Sequence, residues 1–205
     1  MKALIIVDVQ NDFIPGGALA VNEGDQIVPL INKIQAKFDF IVATQDWHPA
    51  NHGSFAANHK GKKVGEFIDL NGVNQFLWPV HCVQGTTGAE FHADLDSSAW
   101  KAIFQKGTNP LVDSYSGFYD NNKQGDTGLS AYLKNAGVSE LFVCGLATDY
   151  CVKFTVLDGL SEGFAVNLIA DATRAVNIKE GDFDAAIEEM RTAGAMIVQA
   201  KELIL

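Results

Sequence analysis

Six short apolar runs constrain this chain more than any other feature: "ALIIVDV" (3–9), "FIVAT" (40–44), "AIFQ" (102–105), "LFVCGL" (141–146), "FAVNLIA" (164–170) and "AMIV" (195–198). Within each, apolar residues follow one another instead of alternating. A strand of that kind needs cover on both faces, as the strands of a parallel sheet have. Segments of helical spacing lie between most of the runs. "DQIVPLINKIQAKF" (25–38) puts Ile27, Leu30, Ile31 and Ile34 on one stripe, while "GLSAYLKNAG" (128–137), "DYCVKFTVLDGLSEG" (149–163) and "DFDAAIEEMRTAG" (182–194) each close on glycine, a common helix stop. Alternation of strand and helix predicts a three-layer α/β/α fold around a parallel sheet. The 205 residues suit one such domain spanning 1–205, which buries about 70% of its unfolded surface without disulfide staples.

Residues 45–101 break the alternation. Periodicity is weak there and the segment far exceeds an ordinary connection. All five histidines (48, 52, 59, 81 and 92) and all three tryptophans (47, 78 and 100) fall inside it. Linkers are seldom this aromatic, so the segment is expected to be a functional excursion that builds part of an active site.

Composition narrows the partners. A net charge of −10 repels phosphate backbones, which argues against nucleic acid and leaves a small molecule as the expected partner. No stretch approaches the roughly 18 apolar residues of a membrane span, so no membrane partner is expected. Cys82, Cys144 and Cys151 make an odd count in a chain too large to need bridges. Together with an N-terminus, "MKALIIVDVQ", lacking a secretion-type apolar region, this predicts a reducing, cytoplasmic location. A homo-oligomer is compatible with all of these features. Neither G-x-G-x-x-G nor G-x-x-x-x-G-K-[ST] occurs, and "PGGA" (15–18) is a turn rather than a phosphate cradle.

In open parallel sheets ligands bind beyond the carboxyl ends of the strands. Asp8 and Asp12 follow the first run, Asp46 and His48 the second; Lys106 follows "AIFQ", and Thr148 to Cys151 follow "LFVCGL". If Thr148 or Asp149 caps the next helix, Cys151 sits in its first turn, where unpaired N–H groups favour a thiolate and can hold an oxyanion. Cys144, mid-strand, is assigned to packing. Asp8 and Lys106 are lone charges at the ends of apolar runs. Alone they could be an ion pair tying two strands; with Cys151 they make a Cys–Asp–Lys group in which Asp8 takes the thiol proton. Asp46, His48 and His81 are two imidazoles and a carboxylate, a donor set suited to Zn²⁺, Fe²⁺ or Mn²⁺. His52 could add a fourth ligand or an outer donor, while His59 and His92 are expected to face solvent. Phe13 and Trp78 could sandwich a flat ring or simply fill the core.

Five stretches in order along the chain, "IIVDVQNDF", "QDWHPANHGSF", "WPVHC", "QKG" and "GLATDYCV", resemble the nicotinamidases, a group within the isochorismatase-like cysteine hydrolases. The resemblance implies a six-stranded parallel sheet with helices on both sides. It also implies hydrolysis of nicotinamide to nicotinate and ammonia through a cysteine thioester, in NAD salvage, with pyrazinamide as a further substrate. It implies Asp8, Lys106 and Cys151 as the triad, and Asp46, His48 and His81 as ligands of one divalent metal, zinc first and iron or manganese after it. Phe13, Leu19, Trp78 and Tyr115 match substrate-pocket positions. A cis peptide before Ala147 is implied as well, with the N–H groups of Ala147 and Cys151 forming the oxyanion hole.

Overall fold

The structure, a computed structural model, describes residues 1–204. In chain order its strands and helices are β1 (Lys2–Val7), α1 (Val28–Gln35), β2 (Ile41–Asp46), β3 (Phe67–Leu70), β4 (Val73–Phe76), β5 (Ala102–Lys106), α2 (Leu129–Asn135), β6 (Glu140–Leu146), α3 (Lys153–Ser161), β7 (Ala165–Arg174), α4 (Asp182–Thr192), β8 (Met196–Val198) and α5 (Ala200–Ile204). Six strands form one sheet in the order β5-β2-β1-β6-β7-β8, every neighbouring pair parallel. Each apolar run of the sequence supplies one of these strands.

Both faces of the sheet are covered. Leu4 and Ile6 of β1 pack with Val28, Ile31 and Ile34 of α1, while Ala3, Ile5 and Val7 point into the opposite cluster with Leu133, Val156 and Met190 of α2, α3 and α4. All are buried, so the continuous apolar runs follow directly from a sheet enclosed on two sides. α5 joins α1 on the first face through Ala200.

The strand order reverses direction at β1. From β1 the chain builds outward to β2 and β5, then crosses to β6, β7 and β8 on the other side. The crevice beyond the carboxyl ends of β1 and β6 is therefore the topological switch point, where sheets of this kind bind ligands. Asp8 follows β1, and the turn carrying Cys151 follows β6.

The excursion between β2 and β5 contains a structured piece that the sequence reading leaves unassigned. β3 and β4 form an antiparallel hairpin turned by Asn71 and Gly72, both at positive φ (56° and 86°). Asn-Gly is the pair such a two-residue turn demands.

Candidate active site

β1, β2, β5 and β6 lie side by side, so their register brings Asp8, Asp46, Lys106 and the Cys151 turn to one edge. Lys106 is the hub and is buried. Its Nζ lies 2.9 Å from Asp8 Oδ2, 3.3 Å from Cys151 Sγ and 3.0 Å from the Ser114 carbonyl, and it also donates to Asp46 Oδ1. The 2.9 Å contact to Asp8 Oδ2 is an ion pair off the hydrogen-bonding direction. That oxygen therefore keeps room to accept a proton. Thr44 Oγ1 donates to the other oxygen at 2.6 Å. Asp8 itself holds a left-handed backbone (φ 48°), sparsely populated by residues other than glycine.

The four groups carry unequal proton affinities. Burial drives the Asp8 carboxyl above its ordinary value, with Lys106 and Thr44 only partly offsetting it. Burial acts the same way on Asp46, but Lys106 and His48 outweigh it and hold that carboxyl well below the usual range. Two carboxylates on one ammonium are thus pushed apart: Asp46 is a fixed anion and Asp8 the more basic partner, the pattern of an assigned base. Burial would neutralise Lys106, yet Asp46 and Asp8 keep it charged. Burial raises the Cys151 thiol well above its ordinary range despite Lys106. The resting sulfur is therefore a thiol that needs a base beside it. Cys144, also buried, has its thiol raised by burial, in keeping with packing.

Cys151 sits in a single wide turn, Thr148–Val152, that leads into α3. No side chain caps it; Ala147 holds the cap position, and the Leu146–Ala147 peptide is cis. The expectation that Thr148 or Asp149 caps this helix is corrected accordingly. Asp149 instead accepts the N–H groups of Val176 (3.0 Å) and Asn177 (2.9 Å), tying the loop after β7 to the Cys151 turn.

Beside this group lie the imidazoles. His48 Nε2 and His81 Nε2 stand 3.3 and 3.6 Å from Asp46 Oδ2. Their other nitrogens are fixed by backbone, His48 Nδ1 on the Gly107 carbonyl (2.9 Å) and His81 Nδ1 on the Pro79 carbonyl (2.8 Å). Held this way, both Nε2 atoms converge with the carboxylate within 4.8 Å, and backbone bonds to the far nitrogen are how metal-binding imidazoles are oriented. The donor set therefore fits a divalent ion. Gly107 is required here: it has φ +66°, and a Cβ would sit 2.4 Å from His48 Cε1. Gln10 braces Asp46, its amide donating to the Asp46 carbonyl and its oxygen accepting the Asp46 N–H, both at 2.8 Å. His52 bonds Ser54 Oγ through Nδ1 (2.7 Å) and leaves its buried Nε2 unpaired. Burial lowers its pKa to about 4, so it is a neutral imidazole with a nitrogen to spare. His59 and His92 depart from expectation: both are half-buried, and His59 Nε2 bonds the Gly53 carbonyl at 2.7 Å.

A small cavity of about 30 Å³ opens over the sulfur, lined by Phe13, Leu19, Asp46, Trp78, His81, Ala147, Tyr150, Cys151 and Val176. Phe13, Leu19 and Trp78, the residues named from the sequence, are among its walls. Tyr115 does not line it; its hydroxyl accepts from Trp78 Nε1 at 3.0 Å and so holds the indole from behind. Tyr150 and Val176 are walls that the sequence reading overlooks, and Tyr150 packs edge-on against Trp78 at 4.8 Å. A larger surface groove, about 300 Å³, shares Tyr150 but touches none of Asp8, Lys106 or Cys151.

Comparison with known proteins identifies the family of the chain. The family profile described as "Isochorismatase domain" matches residues 2–202. A nicotinamidase of Escherichia coli is 50% identical over 200 residues, covering 96% of this chain and 93% of that protein. A solved nicotinamidase and pyrazinamidase from Acinetobacter baumanii superposes with a TM-score of 0.95 at 45% identity, covering 98% and 97% of the two chains. A pyrazinamidase of Pyrococcus horikoshii, solved in complex with zinc, has 44% identity and a TM-score of 0.79 over 97% and 98% of the chains.

Proposed function

The chain belongs to the isochorismatase domain family, and from that premise we propose that it is a nicotinamidase, a cysteine hydrolase that releases ammonia from nicotinamide and leaves nicotinate. The observation that carries the reading is one ammonium, Lys106 Nζ, within 3.3 Å of both Asp8 and Cys151 Sγ beneath a cavity walled by Phe13 and Trp78. Relatives at 50% and 45% identity over nearly the full chain carry that activity in their names. Pyrazinamide, an aromatic carboxamide of the same shape, is the second substrate. The activity belongs to cytoplasmic NAD salvage.

Asp8 accepts the Cys151 proton, and the sulfur attacks the carboxamide carbon. The N–H groups of Ala147 and Cys151 hold the oxyanion. Asp8 returns the proton to the amine as the C–N bond breaks, so ammonia leaves and a thioester remains. Asp8 then takes a proton from water, whose oxygen adds to the thioester carbon. Nicotinate departs as the sulfur recovers its proton. Lys106 stays charged throughout, holding Asp8 and steadying negative charge on the sulfur. Asp46, His48 and His81 would hold one divalent ion, with zinc favoured by the Pyrococcus horikoshii relative and Fe²⁺ or Mn²⁺ accepted by the same donors. Bound there, the ion supplies Lewis acidity toward the pyridine nitrogen. His52, with its spare nitrogen, is placed as an outer ligand or donor to that ion.

Incubating purified protein with nicotinamide, with and without chelator, and measuring ammonia tests the activity. Equimolar ammonia and nicotinate are expected, reduced by chelator and restored by Zn²⁺. No ammonia at any metal loading would refute the reading. Cys151→Ala should bind nicotinamide yet lose at least about 10⁴-fold in turnover; appreciable ammonia from that variant rules out the covalent route.

A further inference from the structure

We infer that Asp12, which the chemistry above does not use, is a positioning residue that fixes the His81 loop against the end of β1 and so sets the geometry of the metal ligands. The inference rests on the metal reading of Asp46, His48 and His81. Asp12 lies in the short turn Asn11–Phe13, next to the cavity wall Phe13. Its Oδ2 accepts the Cys82 N–H at 2.7 Å, and its Oδ1 accepts the Ala18 N–H at 3.2 Å. Its own carbonyl accepts the N–H of Leu19, another cavity wall, at 2.9 Å. Among the described residues no cationic side chain pairs with it, so its carboxylate is spent on chain geometry rather than charge.

Cys82 is where that geometry matters. It follows His81 directly and holds φ at 45°, a left-handed conformation that needs external support in a residue with a side chain. Its carbonyl accepts the His48 N–H at 3.0 Å. One peptide segment thus links Asp12 to both imidazole-bearing stretches. The His81 ring bonds the Pro79 carbonyl of its own loop and packs against Phe13 and Phe55 at ring-centroid distances of 5.6 and 5.4 Å, so its distance from Asp46 follows from where the loop backbone is held. The opposite side of Asp12 is shaped for it as well: a Cβ on Gly88 would fall 2.2 Å from Asp12 Oδ2. Gly88 has an ordinary backbone conformation, so the carboxylate is the main obstacle to a side chain there.

The test is a Zn²⁺ competition titration against a chromophoric chelator, with Tm measured alongside, on Asp12→Ala, Asp12→Asn, Gly88→Ala and the Asp12→Ala/Gly88→Ala pair. Asp12→Ala and Gly88→Ala should each weaken Zn²⁺ binding about tenfold. Asp12→Asn, which keeps one acceptor oxygen, should fall between them and the parent. Gly88→Ala should add nothing once Asp12 is alanine, because the group it displaces is gone. Parental Zn²⁺ affinity in Asp12→Ala, or additive losses in the pair, would overturn the inference. If Asp12→Ala does not fold, the comparison of Asp12→Asn with Gly88→Ala decides, and parental affinity in both overturns it. Failure of the parent protein to bind Zn²⁺ would instead sink the metal reading itself.

Discussion

Asp8, Lys106 and Cys151 reach the site from the ends of β1, β5 and β6, whereas His48, His81 and Trp78 reach it from the long excursion between β2 and β5. The first group is placed by strand register: Asp46 faces Lys106 across β2 and β5, and β1 and β6 pair from Lys2–Glu140 to Val7–Gly145. Residue-scale adjustment is unavailable there, because slipping a strand would turn its buried faces outward. The second group is placed by single hydrogen bonds between distant loops, such as Asp12 to Cys82 and Trp78 to Tyr115. For the proposed reaction, rigid register suits the groups that would exchange a proton, and separately held loops suit the groups that would grip a ring.

Damage to the two regions should accordingly differ in kind. The largest effect is expected at the sheet edge. Asp8→Asn should lower kcat/KM about 10³-fold, the range of general-base loss, with little change in ligand affinity measured by calorimetry. In the parent, kcat/KM should rise with pH as Asp8 ionises. Burial raises its pKa, so the acid limb should have its midpoint above the ordinary carboxyl value of 3.8; a midpoint at or below 3.8 would remove Asp8 as the base. A smaller effect is expected in the excursion: His81→Ala should weaken metal binding about 10- to 100-fold, with activity recovering in excess Zn²⁺. Loss that excess metal cannot restore would erase the distinction between the regions. The smallest effect belongs to Trp78→Leu, which should raise KM about 2- to 10-fold while kcat changes less, as expected from loss of one aromatic contact of about 0.5–1.5 kcal/mol. A fall in kcat alone would place the indole in the chemistry instead.

The same contrast governs what can be read from sequence. β1, β2 and β6 are legible because burial on two faces writes an uninterrupted apolar run, and Asp8 and Lys106 stand out as charges at the ends of such runs. Gln10 and Asp12 work through backbone partners dozens of residues away, and such pairings leave no periodic trace. Val176 reads like any other apolar residue, and contacts such as those to Asp149 bring its loop to the cavity. The hairpin of β3 and β4 is different: its Asn71-Gly72 turn is a genuine local signal, obscured by flanking strands of only four residues each. Tyr115 illustrates a further limit, since proximity to a pocket and contact with its occupant look identical until the indole between them is placed.

Lys106 also touches Asp46, which faces the two imidazoles, so one cation is common property of the proposed bond-breaking group and the candidate metal ligands. Retuning either half will therefore disturb the other. Efforts to redirect this enzyme toward new amides through Asp46 should shift its acidity profile as a side effect, whereas changes confined to Phe13, Leu19 or Val176 leave that shared charge alone and are the cleaner handles for selectivity.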